Sequence, residues 1–422
     1  MLAAGMLLLA LPLLYAGLMA WLRGGLDALR KGSDIGSYVF GPAPATSRPG
    51  PFSRGEGEPN DFVRMSSGSP SLRKRGPGDE VSHENEQLFS ILIAARNEAE
   101  NLPQLLQDLT TQNYPATQFE VLVADDHSTD ATAALVTAAA QQDGFALRLI
   151  KLPADQTGKK AALSAAQQAA HAPWLLCTDA DCRVGPGWLA AYANKLAQAP
   201  QANFISGPVL LTGPRSWLQT LVGLEFAGLV GVGAACISRA QPTMCNGANL
   251  AYRRAAFEAV GGFADNAHLA SGDDEFLLHK IHAAFPGSAH FLFDAAAIVR
   301  TPAPATLRTL LRQRVRWASK WRHYQSTAPR RLALVVLGAN VALAAGVGAG
   351  LLWPSLWPWV GAAWVIKLGA DAWFLSPVLR FLGQRRWLWG LLPLQVLYAP
   401  YALAVGLAGW RGGYEWKGRA VR

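Results

Sequence analysis

The chain has 422 residues, enough for one sizeable α/β domain and several membrane helices. Its residues are 51% hydrophobic and only 16% charged, a balance that argues against an ordinary soluble protein. The formal net charge of +9 is not gathered into a basic stripe with interleaved aromatics, so no nucleic-acid partner is expected; basic residues flank the apolar stretches instead, which suits anionic lipid head groups.

Leu2–Leu22 is an uncharged apolar run long enough to cross a bilayer. It is too long for the core of a cleaved signal peptide and lacks a basic start and a clear small-residue cleavage site. Arg23, Arg30 and Lys31 follow at once and place the downstream side in the cytoplasm. Residues 23–87 are rich in Gly, Pro, Ser and charge without periodicity and read as a disordered tether.

The globular part is expected over residues 88–328. Phe89–Ala95, Phe119–Ala124, Leu147–Leu152 and Trp174–Thr178 are short β-rich runs, the first two each followed by a polar turn and a helix-like stretch and the others in the same style. That alternation predicts an α/β domain with a mostly parallel, Rossmann-like sheet, whose ligands bind beyond the carboxyl ends of the strands. The acids fall at those ends: Glu98 after the first strand, Asp125 and Asp126 after the second, Asp179 and Asp181 after the fourth.

Trp217–Ile237 is apolar enough to pass for a membrane span. Crossing there would put Asp179 and Asp181 on one side of the membrane and Asp273 and Asp274 on the other, so it is read as a buried or interfacial helix. About three membrane helices over 329–410 and a basic tail over 411–422 close the chain. The apolar stretches are Leu332–Leu352, Leu356–Leu379 and Trp387–Trp410, the second holding Lys367 and Asp371 four residues apart, where they can pair. Three crossings leave the tail, with Arg411, Lys417, Arg419 and Arg422, on the side that basic residues avoid, so one of these segments is expected to be re-entrant or interfacial. Cys177, Cys182, Cys236 and Cys245 lack zinc spacing and are too few for a disulfide scaffold; they read as reduced thiols, best explained as small buried hydrophobes.

Three constellations carry chemistry. Thr178-Asp-Ala-Asp181 places alternating carboxylates at a strand end, where they can share one hard cation with phosphate oxygens; Asp-x-Asp alone is common on surface loops, and its position after an apolar strand gives it weight. Asp125-Asp126-His-Ser-Thr-Asp130 ends the second strand. Capping explains Ser128 or Asp130, whereas two adjacent acids suit a uracil N–H and ribose hydroxyls. Gly272-Asp-Asp-Glu275 opens a helical run. Acids are favourable at a helix N-terminus, and Asp274 could equally serve as a general base whose pKa its acidic neighbours raise. On a basic helix, Gln313, Arg316 and Trp317 share one face; composition alone would favour an interfacial helix, while Arg316 can counter diphosphate and Trp317 can face a sugar ring.

Ala95-Arg-Asn-Glu98, Val123-Ala-Asp-Asp-His-Ser-Thr-Asp130, Gly158-Lys-Lys-Ala-Ala162, Thr178-Asp-Ala-Asp-Cys182, Cys245-Asn-Gly-Ala-Asn249, Gly272-Asp-Asp-Glu275 and Gln313-Arg-Val-Arg-Trp317 occur in the order seen in family 2 glycosyltransferases. The chain resembles the membrane-bound branch that includes cellulose, hyaluronan and poly-N-acetylglucosamine synthases. The resemblance implies a GT-A fold and an inverting transfer from a nucleotide diphosphate-sugar, with Mg²⁺ or Mn²⁺, to a membrane-associated lipid or glycan. It implies that Glu98, Asp126 and Asp181 hold nucleotide and metal, helped by Asp125, Asp179 and Lys160. Asp274 would be the base, with Asp273 beside it, while Gln313, Arg316 and Trp317 close over the donor. Two features depart from the family pattern: Asp273 stands where a Glu is usual, and the tether has no expected counterpart. The resemblance to polymer synthases favours the alternative of a polymerising polysaccharide synthase subunit, whereas a polymer channel usually needs more helices than these unless the protein forms an oligomer or has a partner subunit. A non-catalytic nucleotide-binding scaffold would be expected to lose the base or the metal acids, and both are present. A transporter, suggested by Lys367 and Asp371, would have no reason to carry strand-end carboxylates.

Overall fold

A computed structural model of the protein describes residues 2–33, 88–264, 272–320 and 326–421, apart from 412, 413, 417 and 418. Helix α1 (Leu2–Ser33) runs well past Leu22. Residues 23–33 therefore continue the helix instead of opening the tether, since Leu22 and Leu26 are buried on the same face and extend the packing. The rest of the predicted tether lies outside the described residues.

The first half of the globular part alternates as expected: β1 (Phe89–Ala95), α2 (Leu102–Thr110), β2 (Phe119–Asp125), α3 (Thr132–Ala139), β3 (Ala146–Lys151), α4 (Lys159–Ala169), β4 (Trp174–Asp179) and α5 (Trp188–Gln198). Both faces of β1 and β2 are covered, which is why they read as unbroken apolar runs. Leu92, Leu122 and Leu175 point into one core layer, and Ile91, Ile93, Val121 and Leu176 into the other. In α2, Leu102, Leu105, Leu106 and Leu109 are buried at helical spacing.

The second half is less regular: β5 (Phe204–Ser206), β6 (Val209–Thr212), α6 (Trp217–Ser238), β7 (Leu250–Arg253), α7 (Arg254–Ala259), α8 (Asp273–Ala284), β8 (Ala289–Phe291), β9 (Val299–Pro302) and α9 (Leu307–Ala318). The main sheet has the order β3-β2-β1-β4-β7-β5-β8, parallel except for β7, which runs against β4 and β5. The expected mostly parallel sheet is present, with a reversal that these short apolar runs do not encode. β6 and β9 form a separate parallel pair.

Helices α10 (Ala328–Leu352), α11 (Trp357–Phe381) and α12 (Leu391–Arg411) follow, then a hairpin of β10 (Tyr414–Trp416) and β11 (Arg419–Val421). Among the described residues, five helical segments are long and apolar enough to cross a membrane. That within α6 is 61% buried, against 22% in α1 and in α10, because α6 lies between the sheet and the other apolar helices. One core layer runs from Leu92 and Leu175 through Ala234 and Ile237 of α6 to Met19 of α1 and Phe374 of α11.

The helices differ in direction. α1 and α11 run alongside each other in the same sense, Arg23 donating to the Trp373 carbonyl at 2.6 Å, and α11 ends against the domain, with Phe381 stacked on Phe293 at 4.1 Å between centroids. α12 meets domain helices at both ends. Gly390, just before it, lies beside Thr220 of α6, and at Gly409 an added Cβ would come within 2.7 Å of the Ala318 Cβ in α9. Midway, Tyr401 donates to Glu225 of α6 at 2.9 Å.

Candidate active site

The turns after β1 and β2 are cross-linked. Asn97 and His127 adopt φ of 53° and 55°, left-handed values that non-glycine residues rarely hold. Asn97 Oδ1 accepts from the Thr129 amide at 2.8 Å, the Asn97 amide donates to Ser128 Oγ at 3.0 Å, and Arg96 donates to the Asp126 carbonyl at 2.7 Å. These bonds fix Glu98 and Asp126 at the sheet's carboxyl edge. Asp126 is 1% exposed; its carboxylate accepts from the Gly158 amide at 3.0 Å and so also holds the loop that starts α4. Glu98 accepts from Asn101 at 2.9 Å. Asp130 accepts from the Thr132 amide at 3.0 Å, but the N-cap position of α3 is Ala131, so neither Ser128 nor Asp130 is the capping residue.

A cavity of about 320 Å³ lies over this edge. Glu98, Asp126, Asp179, Asp181, Asp273, Asp274, Gln313, Arg316 and Trp317 all line it, although they come from segments more than 200 residues apart. Two expected members are placed differently. Asp125 accepts from the Ser128 amide at 3.3 Å and is not on the cavity wall. Lys160 is buried over the Phe276 ring at 5.8 Å, and burial pushes its ammonium down to about 8 against the pull of Asp273 and Asp274. Its neighbour Lys159 lines the cavity instead, because successive residues at a helix start point to different sides.

Lys159 organises the acids. Its ammonium donates to Asp179 Oδ1 at 2.6 Å and lies 3.6 Å from Asp273 Oδ2. Burial would lower its pKa, but Asp179 and Asp273 hold it well above the ordinary lysine value. Burial likewise would raise the Asp273 carboxyl, and Lys159 keeps it below the usual range. Asp274 goes the other way: burial pushes it up to about 6, and Asp273 and Glu275 add to the rise against the pull of Lys320. Asp274 accepts from the Gly247 amide at 2.9 Å, which aims its carboxylate into the cavity. Gly272, at φ 84°, allows the turn into α8, and a Cβ there would fall 2.6 Å from the Phe276 ring.

Helix α9 is capped by Thr306, whose hydroxyl accepts from the Thr309 amide at 3.2 Å. Its anchor is Arg314, which sequence inspection passed over. Arg314 is buried, donates to Glu225 at 2.8 Å and to Gln313 Oε1 at 2.7 Å, and stacks over the Trp317 ring at 4.4 Å. One guanidinium thus ties α9 to α6 and sets the Gln313 and Trp317 side chains at the cavity. The only sequence signal was a charge, Glu225, inside an otherwise apolar helix.

Asp179, Asp181 and Cys182 present ligand atoms within 4.8 Å of one another, the one such group among the described residues. The Cys182 thiol is buried, and burial, reinforced by Asp179 and Asp181, raises its pKa well above the ordinary value. It donates to Asp181 Oδ1 at 3.7 Å, and Asp179 and Asp181 supply the carboxylate donors of the group. Half-exposed oxygen donors of this kind fit a hard divalent cation.

Residues 90–261 match the family model for glycosyl transferase family 2. This segment is a family 2 glycosyltransferase domain. The chain is 23% identical over 241 residues to a poly-beta-1,6-N-acetyl-D-glucosamine synthase of Staphylococcus epidermidis, covering 56% of this chain and 55% of that one. It is 26% identical over 236 residues to the probable glycosyltransferase YdaM of Bacillus subtilis, covering 54% of each. Its identity to an N-acetylglucosaminyltransferase of Rhizobium leguminosarum bv. viciae is 26% over 305 residues, 67% of this chain and 70% of that one. The chain spans little more than half the length of the first two relatives. Among solved structures, the mannosyltransferase PcManGT of Pyrobaculum calidifontis, in complex with GDP-Man and Mn²⁺, superposes with a TM-score of 0.49 at 21% identity, covering 74% of this chain and 87% of that one. The expected architecture, an α/β GT-A domain with apolar helices flanking it, is the one found.

Proposed function

We propose that this glycosyltransferase moves a sugar, with inversion, from a UDP-sugar to a hydroxyl of a membrane-associated lipid or glycan. The observation that carries the reading is the convergence on one cavity of the Asp179–Asp181 pair, Asp273 and Asp274, and the Gln313, Arg316 and Trp317 face. Two relatives are named for N-acetylglucosamine, which makes a UDP-N-acetylhexosamine the first donor to test.

Glu98 and Asp126 border the nucleotide, and Asp181, assisted by Asp179, would hold Mg²⁺ or Mn²⁺. When bound there, such a cation would supply charge to neutralise the departing diphosphate. Lys159 and Arg316 add positive charge on the same wall. Asp274, ionised above about pH 6, takes the proton of the acceptor hydroxyl. The hydroxyl oxygen bonds to the anomeric carbon from the face opposite the diphosphate. The bond from that carbon to the diphosphate oxygen breaks, and its electron pair leaves with the nucleotide.

The domain sits on the cytoplasmic side. α1, α10 and α11 cross, while α6 and α12 lie on the domain side without crossing. The two domain contacts of α12 support this reading, as does the basic tail, which then remains cytoplasmic. Mass spectrometry of products made by the purified protein from a panel of UDP-sugars and membrane lipids tests the proposal. Absence of transfer from every donor, with or without Mg²⁺ and Mn²⁺, would refute it.

A further inference from the structure

A second cavity, of about 610 Å³, lies between α6, α9 and the helices α1, α10, α11 and α12. Its size falls within the roughly 300–1,000 Å³ of small-molecule sites. Leu229, Met244, Glu275, Trp317 and Lys320 line both this cavity and the catalytic one, so the two meet at the helix that follows Asp274. We infer that the acceptor is a hydroxyl-bearing lipid whose hydrocarbon chain occupies this second cavity while its hydroxyl reaches Asp274. The inference rests on the sugar-transfer reading above and names its acceptor class.

Three observations favour a hydrocarbon chain over a glycan. Beyond the junction the wall is aliphatic, with Leu332 and Val336 from α10, Leu375 from α11 and Leu394 from α12. The charged side chains facing it are paired with one another, while the Thr243 hydroxyl has no hydrogen-bond partner among the described residues. Arg314 bonds Glu225 at 2.8 Å, Lys320 meets Glu275 at 3.1 Å, and Lys367 bonds Asp371 at 2.6 Å and Gln395 at 3.0 Å. Asp371 also accepts from Tyr15 at 2.5 Å. A sugar chain entering here would give up water without finding comparable partners, whereas an alkyl chain requires none. Finally, the cavity lies among apolar helices with large exposed side chains such as Leu334, Val365 and Leu397, so the phase that supplies such chains surrounds it.

The mouth selects the head group. Asp273, Asp274 and Glu275 are consecutive there, and the nearby ammonium groups of Lys159 and Lys320 already contact Asp179 and Glu275. A neutral hydroxyl is accommodated beside Asp274, whose neighbours Asp273 and Glu275 are held by Lys159 and Lys320. The far end of the cavity is a closed polar circuit, which positions α11 and α12 and terminates the site.

The test uses the full-length protein and a diacylglycerol carrying a diazirine on its acyl chain. Photolabelling of α10 and α12 at the cavity wall, suppressed by excess unmodified diacylglycerol, is expected. Labelling confined to the lipid-exposed faces, or unaffected by competitor, would overturn the inference. Ala333→Trp and Ala402→Trp, which fill the second cavity only, should raise KM for a long-chain monoacylglycerol by about tenfold, the loss expected when about two methylene groups forfeit their burial. Both variants should leave UDP-sugar hydrolysis and UDP binding unchanged. UDP-sugar cleavage whose only product is a free or elongating glycan would overturn the lipid acceptor and leave the transfer reading standing. Cavity labelling without cleavage of any UDP-sugar would overturn the acceptor role together with that reading.

Discussion

Lys159 donates to Asp179 Oδ1 at 2.6 Å, so one carboxylate of the Asp-x-Asp pair is held by the helix that opens at Gly158. The contact joins the end of β4 to the start of α4, and under the proposed mechanism it would leave Asp181 as the main cation ligand. Loss of one charge-assisted hydrogen bond costs about 1.5–3 kcal/mol. Lys159→Ala is therefore expected to lower kcat/KM by about tenfold to a hundredfold. Lys160→Ala should change it much less, since that side chain packs on Phe276. Steady-state kinetics of the two variants compare them directly, and a larger loss from Lys160 would reverse the assignment.

Asp274 must be ionised to accept a proton, and its pKa is raised to about 6. The kcat/KM profile should fall as pH drops through about 6 and level off above it, because protonation removes the base. Asp274→Asn should abolish that acidic limb and lower transfer by about 10²–10⁴ while UDP still binds. Near-parental turnover in this variant would move the base to Asp273.

Cation dependence is expected to run through Asp181. Chelation should stop transfer, and added Mn²⁺ or Mg²⁺ should restore it. Asp181→Asn should weaken Mn²⁺ binding, followed by calorimetry in the presence of UDP, more than Asp179→Asn does, because Lys159 already occupies Asp179. Full transfer in excess chelator would remove the cation from the reaction.

Arg316 and Trp317 separate a donor-closing face from a helix resting at the lipid interface. Arg316→Lys keeps the charge but loses the forked contact to phosphate oxygens. Trp317→Phe keeps a ring but loses the indole N–H and stacking area. Both should lower kcat/KM by about tenfold or more while membrane insertion persists. Unchanged kinetics in both would favour the interfacial role.

The topology makes a labelling prediction. Single cysteines introduced at Ser216, Arg239 and Arg411 should all react from the cytoplasmic side, and one at Trp353, between α10 and α11, from the opposite side. Opposite-sided labelling of Ser216 and Arg239 would split Asp181 from Asp274 and sink the proposed mechanism.

The sequence by itself determined much of this. β1, β2 and β4 were legible because each is a short apolar run closed by a polar turn and covered on both faces, while the edge strand β3, with Arg148 and Lys151, carries a weaker signal. Glu98, Asp126, Asp179 and Asp181 were legible because acids gathered at the carboxyl ends of parallel strands lie where such sheets bind ligands, whereas Asp273 and Asp274, favourable at a helix start in any case, were legible only together with them. The tertiary structure decided what depends on direction and partner. It turned β7 antiparallel, and it brought Lys159 to the cavity in place of Lys160, because a helix rotates neighbouring residues by about 100°. It also matched Glu225 to Arg314 across 89 residues, converting an anomalous charge in an apolar helix into the tie that aims Trp317. Hydropathy measures how apolar α6 and α12 are but not whether lipid or protein covers them. Only the packing shows that: 61% of the span in α6 is buried, against 17% of the span that contains α12.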